Sequence, residues 1–137
     1  MTTRQLADSE RRLKDLLRAL PDLVWLKDTE GVYRACNAAF ERLLDRPEAE
    51  IIGRSDADFV DADSAAAMRA HDARVIASGQ PDRGERWLTF ARDGHRGLYE
   101  VVQTPQFDAE GRATGLLGVA RDVTLARQGA QAQAEQH

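Results

Sequence analysis

Three strand-like runs follow one another in the last third of this chain, across turns too short to hold a helix. This feature narrows the fold most. Arg86-Trp87-Leu88-Thr89-Phe90 meets the next run across Asp93-Gly94, and Gly115-Leu116-Leu117-Gly118-Val119-Ala120 follows the turn Asp108-Ala109-Glu110-Gly111. Tight connections join antiparallel neighbours, because a parallel pair needs a crossover of about a dozen residues. The βαβ spacing of a nucleotide-binding sheet is absent. The expected fold is α+β: a five-stranded antiparallel sheet with helices on one face and an N-terminal flanking helix.

The remaining elements fit around that sheet. Residues 4–20 read as an amphipathic helix, with Leu6, Leu13 and Leu20 seven apart, Leu16 and Leu17 beside them, and Pro21 ending it. The stripe is too short for an independent coiled coil, so it must pack on the domain, on a second copy, or on both. Leu23-Val24-Trp25-Leu26-Lys27 and Val32-Tyr33-Arg34-Ala35-Cys36 read as strands joined by the turn Asp28-Thr29-Glu30-Gly31. Asn37 is a suitable N-cap for a helix carrying Phe40, Leu43 and Leu44, and Pro47 and Gly53 bracket a helical turn with Ile51 and Ile52. Asp61 or Asp63 caps a longer helix that runs to Ser78 and stops at Gly79, with Ala65, Met68, Val75 and Ile76 as its apolar stripe. The expected organisation is a flanking helix at 1–21, one domain at 22–124, and the start of an output linker helix or a disordered tail at 125–137.

Composition narrows the function. With 137 residues, 42% apolar and 31% charged, the chain can bury one real core. A net charge of -4 offers no basic field to nucleic acid or to an anionic membrane. No apolar run approaches the ~20 residues that cross a bilayer, and the N-terminus does not read as a signal peptide. The expected location is the cytoplasm, with membrane anchoring of a parent protein left open. A single cysteine, Cys36, excludes an internal disulfide and a thiolate metal cluster; it reads as a small buried apolar residue. There is no Gly-x-Ser-x-Gly, no phosphate-cradling glycine loop and no His-Glu-x-x-His, so this segment does not read as an enzyme. Asp56, Asp58, Asp61 and Asp63 fail as an EF-hand, since the sixth and twelfth positions are Asp61 and Ala67, and read as capping and solvated residues.

Over about 22–124 the chain resembles a PAS domain. The resemblance is carried by Leu20-Pro21-Asp22-Leu23-Val24-Trp25, Asp28-Thr29-Glu30-Gly31, Asn37-Ala38-Ala39-Phe40, Ile52-Gly53, Arg92-Asp93-Gly94, Thr104-Pro105, Asp108-Ala109-Glu110-Gly111 and Gly118-Val119-Ala120-Arg121-Asp122-Val123-Thr124. Each piece alone is weak; the ordered set is specific. It is most similar to sensor modules of bacterial two-component and cyclic-dinucleotide signalling, upstream of histidine kinase or diguanylate cyclase domains. The resemblance implies a module that binds a small ligand or a partner, or only dimerises, and passes the change through flanking helices. It makes Asp122 and Thr124, in the exit motif Asp-Val-Thr, the relay residues. On the residues alone, Asp122 and Thr124 also suit a strand end that caps the next helix.

Strand alternation sorts the side chains into two rows, and the resemblance implies which row faces the helices and the pocket. Trp87, Thr89 and Ala91 are expected on one face of the fourth strand, Tyr99, Val101 and Gln103 on one face of the fifth, and Leu116, Gly118 and Ala120 on one face of the last. Such rows commonly form a solid core, but the polar Thr89, Tyr99 and Gln103 need partners, and a ligand is one way to supply them. The expected pocket residues are Trp25, Phe40, Met68, His71, Trp87, Thr89, Tyr99, Val101, Gln103, Leu116 and Ala120. The opposite row, Leu88, Phe90, Val102, Leu117 and Val119, is also apolar and needs cover from the first helix or a partner copy.

No cofactor is assigned. His71 is the one candidate for the haem ligand that the resemblance places on the long helix; on the residues it also reads as a boundary histidine paired with Asp72 or Arg74. His95 reads as solvated in its hairpin. Flavin photochemistry is disfavoured, because Arg54-Ser55-Asp56-Ala57 holds no cysteine where the photoactive relatives carry one. The expected dimer contact is Leu6, Leu13, Leu16, Leu17 and Leu20. The leading reading is a sensory module acting on an output domain of the same chain; a ligand-free dimerisation scaffold is the alternative, and a haem-based gas sensor a third.

Overall fold

The computed structural model describes residues 2–135. Helix α1 (Thr3–Ala19) starts from a capping box in which Thr2 Oγ1 accepts from Gln5 N and Gln5 Oε1 accepts from Thr2 N. Strands β1 (Leu23–Asp28) and β2 (Tyr33–Cys36) form a hairpin. Helices α2 (Ala38–Leu44) and α3 (Glu48–Ile51), a 3₁₀ turn at Asp56–Asp58 and helix α4 (Ala62–Ser78) follow. The chain returns to the sheet as β3 (Asp82–Thr89), β4 (Arg96–Phe107) and β5 (Ala113–Asp122), and leaves in helix α5 (Thr124–Glu135).

The five strands lie in the order β2-β1-β5-β4-β3, and every pairing is antiparallel. This is the α+β arrangement read from the tight connections. The sequence caps also act locally. Asn37 Oδ1 accepts from Phe40 N at 3.1 Å at the start of α2, Asp61 Oδ1 accepts from Ser64 N at 2.8 Å at the start of α4, and Gly79 ends α4 in the left-handed region.

The inner sheet face packs on α2 and α3. Leu23, Ile51 and Leu116 are fully buried, each contributing roughly 1.5–3 kcal/mol on transfer from water. Trp25 and Phe40 stack with ring centroids 5.3 Å apart, and Tyr33 tilts onto Phe40 at 5.5 Å. Gly118, the register partner of Trp25, makes this possible: a Cβ there would lie 2.1 Å from the indole.

The register corrects one expectation. Tyr99, Val101 and Gln103 do face inward, but their partners on β3 are Arg86, Gly84 and Asp82, whereas Trp87 and Thr89 pair with Leu98 and Arg96 on the opposite face. Leu88 and Phe90, expected outside, pack against the core, and Trp87 is 53% exposed with the Arg96 guanidinium over its ring. The outer face is only partly covered: Leu26, Leu98, Val102, Leu117 and Val119 are half-buried.

Candidate functional site

Strand β1 turns Leu23, Trp25 and Lys27 inward. A lysine in an apolar row must bring counter-charges with it, because moving an unpaired ammonium out of water costs several kcal/mol. Lys27 is 3% exposed, and its Nζ donates to Asp56 Oδ2 at 2.5 Å and Asp72 Oδ2 at 2.9 Å. Tyr33 OH donates to Asp56 Oδ1 at 2.5 Å, and Gln103 Nε2 donates to Asp72 Oδ1 at 3.0 Å. The Tyr33 hydroxyl is pushed far above its usual range, by burial first and by the Asp56 charge next, so it remains a donor. Five side chains from β1, β2, the 3₁₀ turn, α4 and β4 thus share one buried network. Asp56 is a structural counter-ion here, not the solvated capping residue its acidic neighbours suggest.

One atom is left over. Gln103 Oε1 is buried and has no hydrogen-bond partner among the described residues. Its orientation follows from Asp72, which only accepts and therefore holds the amide nitrogen.

A cavity of about 450 Å³ opens over this network, between α2, α4 and the edge strand β3. Of the residues expected to line it, Trp25, Phe40, Met68, Val101 and Gln103 do so, and Trp87 and Thr89 border it at β3. Tyr99, Leu116 and Ala120 are buried in the core without bordering the cavity. His71 also lies outside it, its Nε2 3.0 Å from Asp82 Oδ2, so it ties α4 to β3 rather than facing a ligand, Asp72 or Arg74. Among the described residues no group of His, Cys, Asp and Glu is placed to hold a metal ion. Sequence reading missed Lys27, Tyr33, Asp56 and Asp72 in the floor and Arg86 in the wall. The one available signal was a charge at the third inward position of β1.

The exit from the sheet is stitched to β4. Asp122 Oδ1 accepts from Thr124 N at 2.9 Å. The Thr124 hydroxyl does not cap α5; its Oγ1 accepts from Leu98 N at 2.8 Å, and Val123 N donates to Leu98 O at 2.9 Å. Tyr99 is the register partner of Asp122, and its hydroxyl is raised by burial first and by that carboxylate next. Gly97 leaves room for this junction, since a Cβ there would lie 3.0 Å from the Tyr99 ring and 3.4 Å from Thr124 Oγ1. One turn into α5, Arg127 Nε donates to Glu85 Oε1 at 2.6 Å, and its Nη2 donates to the same oxygen. The exit helix is therefore tied to the edge strand that borders the cavity.

At the other terminus, α1 has α2 rather than the sheet as its main neighbour within the chain. Leu6, Leu13, Leu16 and Leu20 stay 44–64% exposed, and the side chain of Leu17 lies outside the described residues. Cys36 is half-buried, and its thiol is pushed up to about 12 by burial and then by Glu48 and Glu41.

Comparison with known proteins accords with this geometry. A family model described as the PAS fold matches residues 17–128. The chain belongs to the PAS family. It is 34% identical over 120 residues to the methanogenesis regulatory histidine kinase FilI of Methanothrix harundinacea, covering 88% of this chain and 13% of the relative. It is 30% identical over 112 residues to the aerobic respiration control sensor protein ArcB of Escherichia coli K12, covering 82% of this chain and 14% of that protein. The chain thus spans about one seventh of the length of these curated relatives. A solved structure of VqmA bound to DPO superposes with a TM-score of 0.73 at 26% identity, over 83% of this chain and 57% of that one. This PAS segment is therefore similar to sensor regions of histidine kinases. No described helix is long and apolar enough to cross a membrane.

Proposed function

We propose that this PAS domain is a sensory module whose cavity takes a small molecule and whose flanking helices carry the change to an output domain of histidine-kinase type. The observation that carries the reading is the placement of the cavity. Its polar floor includes the buried, unpartnered Gln103 Oε1, and its wall is the edge strand that Glu85 and Arg127 join to α5. A ligand that fills the cavity moves β3 against the helices, and Asp122, Thr124 and Arg127 pass that movement to α5. The similarity to FilI and ArcB supports a kinase output, and the similar VqmA structure, of the same fold, is bound to DPO.

The leucine stripe of α1 and the half-covered outer sheet face support a homodimer, which removes both from water. The stripe also suits a ligand-free dimerisation scaffold. Native mass spectrometry of freshly purified protein separates the two readings. A dimer that carries an additional small mass, lost on denaturation, is the expected result. A bare dimer that takes up nothing from cell extract favours the scaffold, and a monomer unaffected by Leu13→Glu/Leu16→Glu removes the dimer.

A further inference from the structure

The cavity holds two polar groups that the protein does not itself satisfy, and they are of opposite kinds. Gln103, 3% exposed and lining the cavity, carries a buried acceptor, Oε1, that no described residue meets. The amide cannot turn over to hide it, because Oε1 would then face the acceptor-only carboxylate of Asp72. The second group is Arg86 on β3. It faces inward with Tyr99 as its register partner, is half-buried, lines the cavity, and has no ion-pair or hydrogen-bond partner for its guanidinium among the described residues. An orphaned buried acceptor asks for a donor, and a half-buried guanidinium asks for an acceptor.

Charge narrows the choice. In the floor one ammonium, Lys27, faces two carboxylates, Asp56 and Asp72, a formal excess of one negative charge that repels an anion at the inner end. With Arg86 included, the cations and anions lining the cavity balance at two each. A ligand with net charge would upset that balance in a place where water cannot screen it well. The walls contribute flat apolar surface from Trp25, Phe40 and Phe59. The volume of about 450 Å³ lies within the range that encloses small organic ligands.

We infer that the cavity binds a small, flat molecule of no net charge that turns an N–H donor inward to Gln103 Oε1 and an amide-type carbonyl outward to Arg86. This rests on the reading of the cavity as a ligand site and adds the chemistry of what it takes.

Three probes that share the benzoyl group test it: benzamide, N,N-dimethylbenzamide and benzoate, titrated into the full chain while the Trp25 indole and Gln103 side-chain amide are followed by NMR. The first keeps donor and acceptor, the second loses the donor, and the third exchanges it for an anion. Benzamide is expected to bind at least about tenfold more tightly than either analogue. Gln103→Leu is expected to bring benzamide down to the level of its dimethyl analogue, and Arg86→Met to weaken benzamide by about three- to tenfold. The comparison among probes on the unaltered chain needs no variant to fold. Equal binding of benzamide and N,N-dimethylbenzamide, or preference for benzoate, overturns the assigned chemistry while leaving a ligand site in place. Failure of all three to shift either signal at about 5 mM overturns the ligand site itself, and this inference with it.

Discussion

The inner face of the sheet has two halves built from the same strands by opposite means. Around Leu23, Tyr33, Phe40 and Ile51 the chain packs aromatic and aliphatic groups densely, and Gly118 is kept small so that Trp25 can lie flat. A few residues further along, Lys27, Asp56, Asp72 and Gln103 place charges and an unmet acceptor at comparable depth. Replacing a buried ionic network by apolar groups of similar volume is often neutral or stabilising. The contrast teaches that the charged half is not what holds the fold together. Its polar pattern is a departure from the best-packed solution, of the kind that accompanies functional sites.

The largest expected effect strips one charge from the polar half. Lys27→Met leaves Asp56 and Asp72 facing each other in a buried place, and should cost about 3–5 kcal/mol in urea unfolding. Adding Asp72→Asn and Asp56→Asn should return a large part of that loss; no recovery would mean that Lys27 acts by packing alone. Gly118→Ala tests the apolar half. Its new methyl collides with Trp25, and a loss of about 1–3 kcal/mol with altered tryptophan fluorescence is expected. An unchanged spectrum would contradict the close packing.

Thr124→Val addresses the exit. It removes the acceptor for Leu98 N, with an expected loss of about 1 kcal/mol and faster hydrogen exchange at Leu98, while cavity signals stay in place. The smallest effect concerns Cys36, beside the apolar half. Its folded pKa of about 12 lies above the ordinary thiol value, so folding favours the protonated form. That contribution is complete below the unfolded pKa and is lost as pH rises through the folded value. Iodoacetamide at about pH 8.5 should therefore label Cys36 roughly a hundredfold more slowly in the folded protein than in urea. Equal rates would show an open thiol.

The legible parts of the fold were those with a strong local signal. Asn37, Asp61 and Gly79 cap the helices as their types predict, and β4 and β5 keep the expected phase, with Tyr99, Val101, Gln103, Leu116 and Ala120 buried and Leu98, Val102, Leu117 and Val119 half-buried. On β3 the expected phase failed, because Trp87, Leu88, Thr89 and Phe90 offer large side chains to both faces. The resemblance pointed Trp87 and Thr89 inward, and only pairing with β4 sets the phase. The aromatic part of the cavity was legible through Trp25 and Phe40. Its charged floor was not, because Lys27 joins partners 29 and 45 residues away, and lysines and aspartates read singly belong to the surface.

Helix α5 leaves the domain held at two points on neighbouring strands, Leu98 on β4 and Glu85 on β3. A rod pinned in this way ignores a uniform swelling of the sheet and turns when one pin slides past the other. Under the proposed sensory reading, the departing segment has the mechanics of a shear gauge, reading how far the outermost strand has shifted along its neighbour.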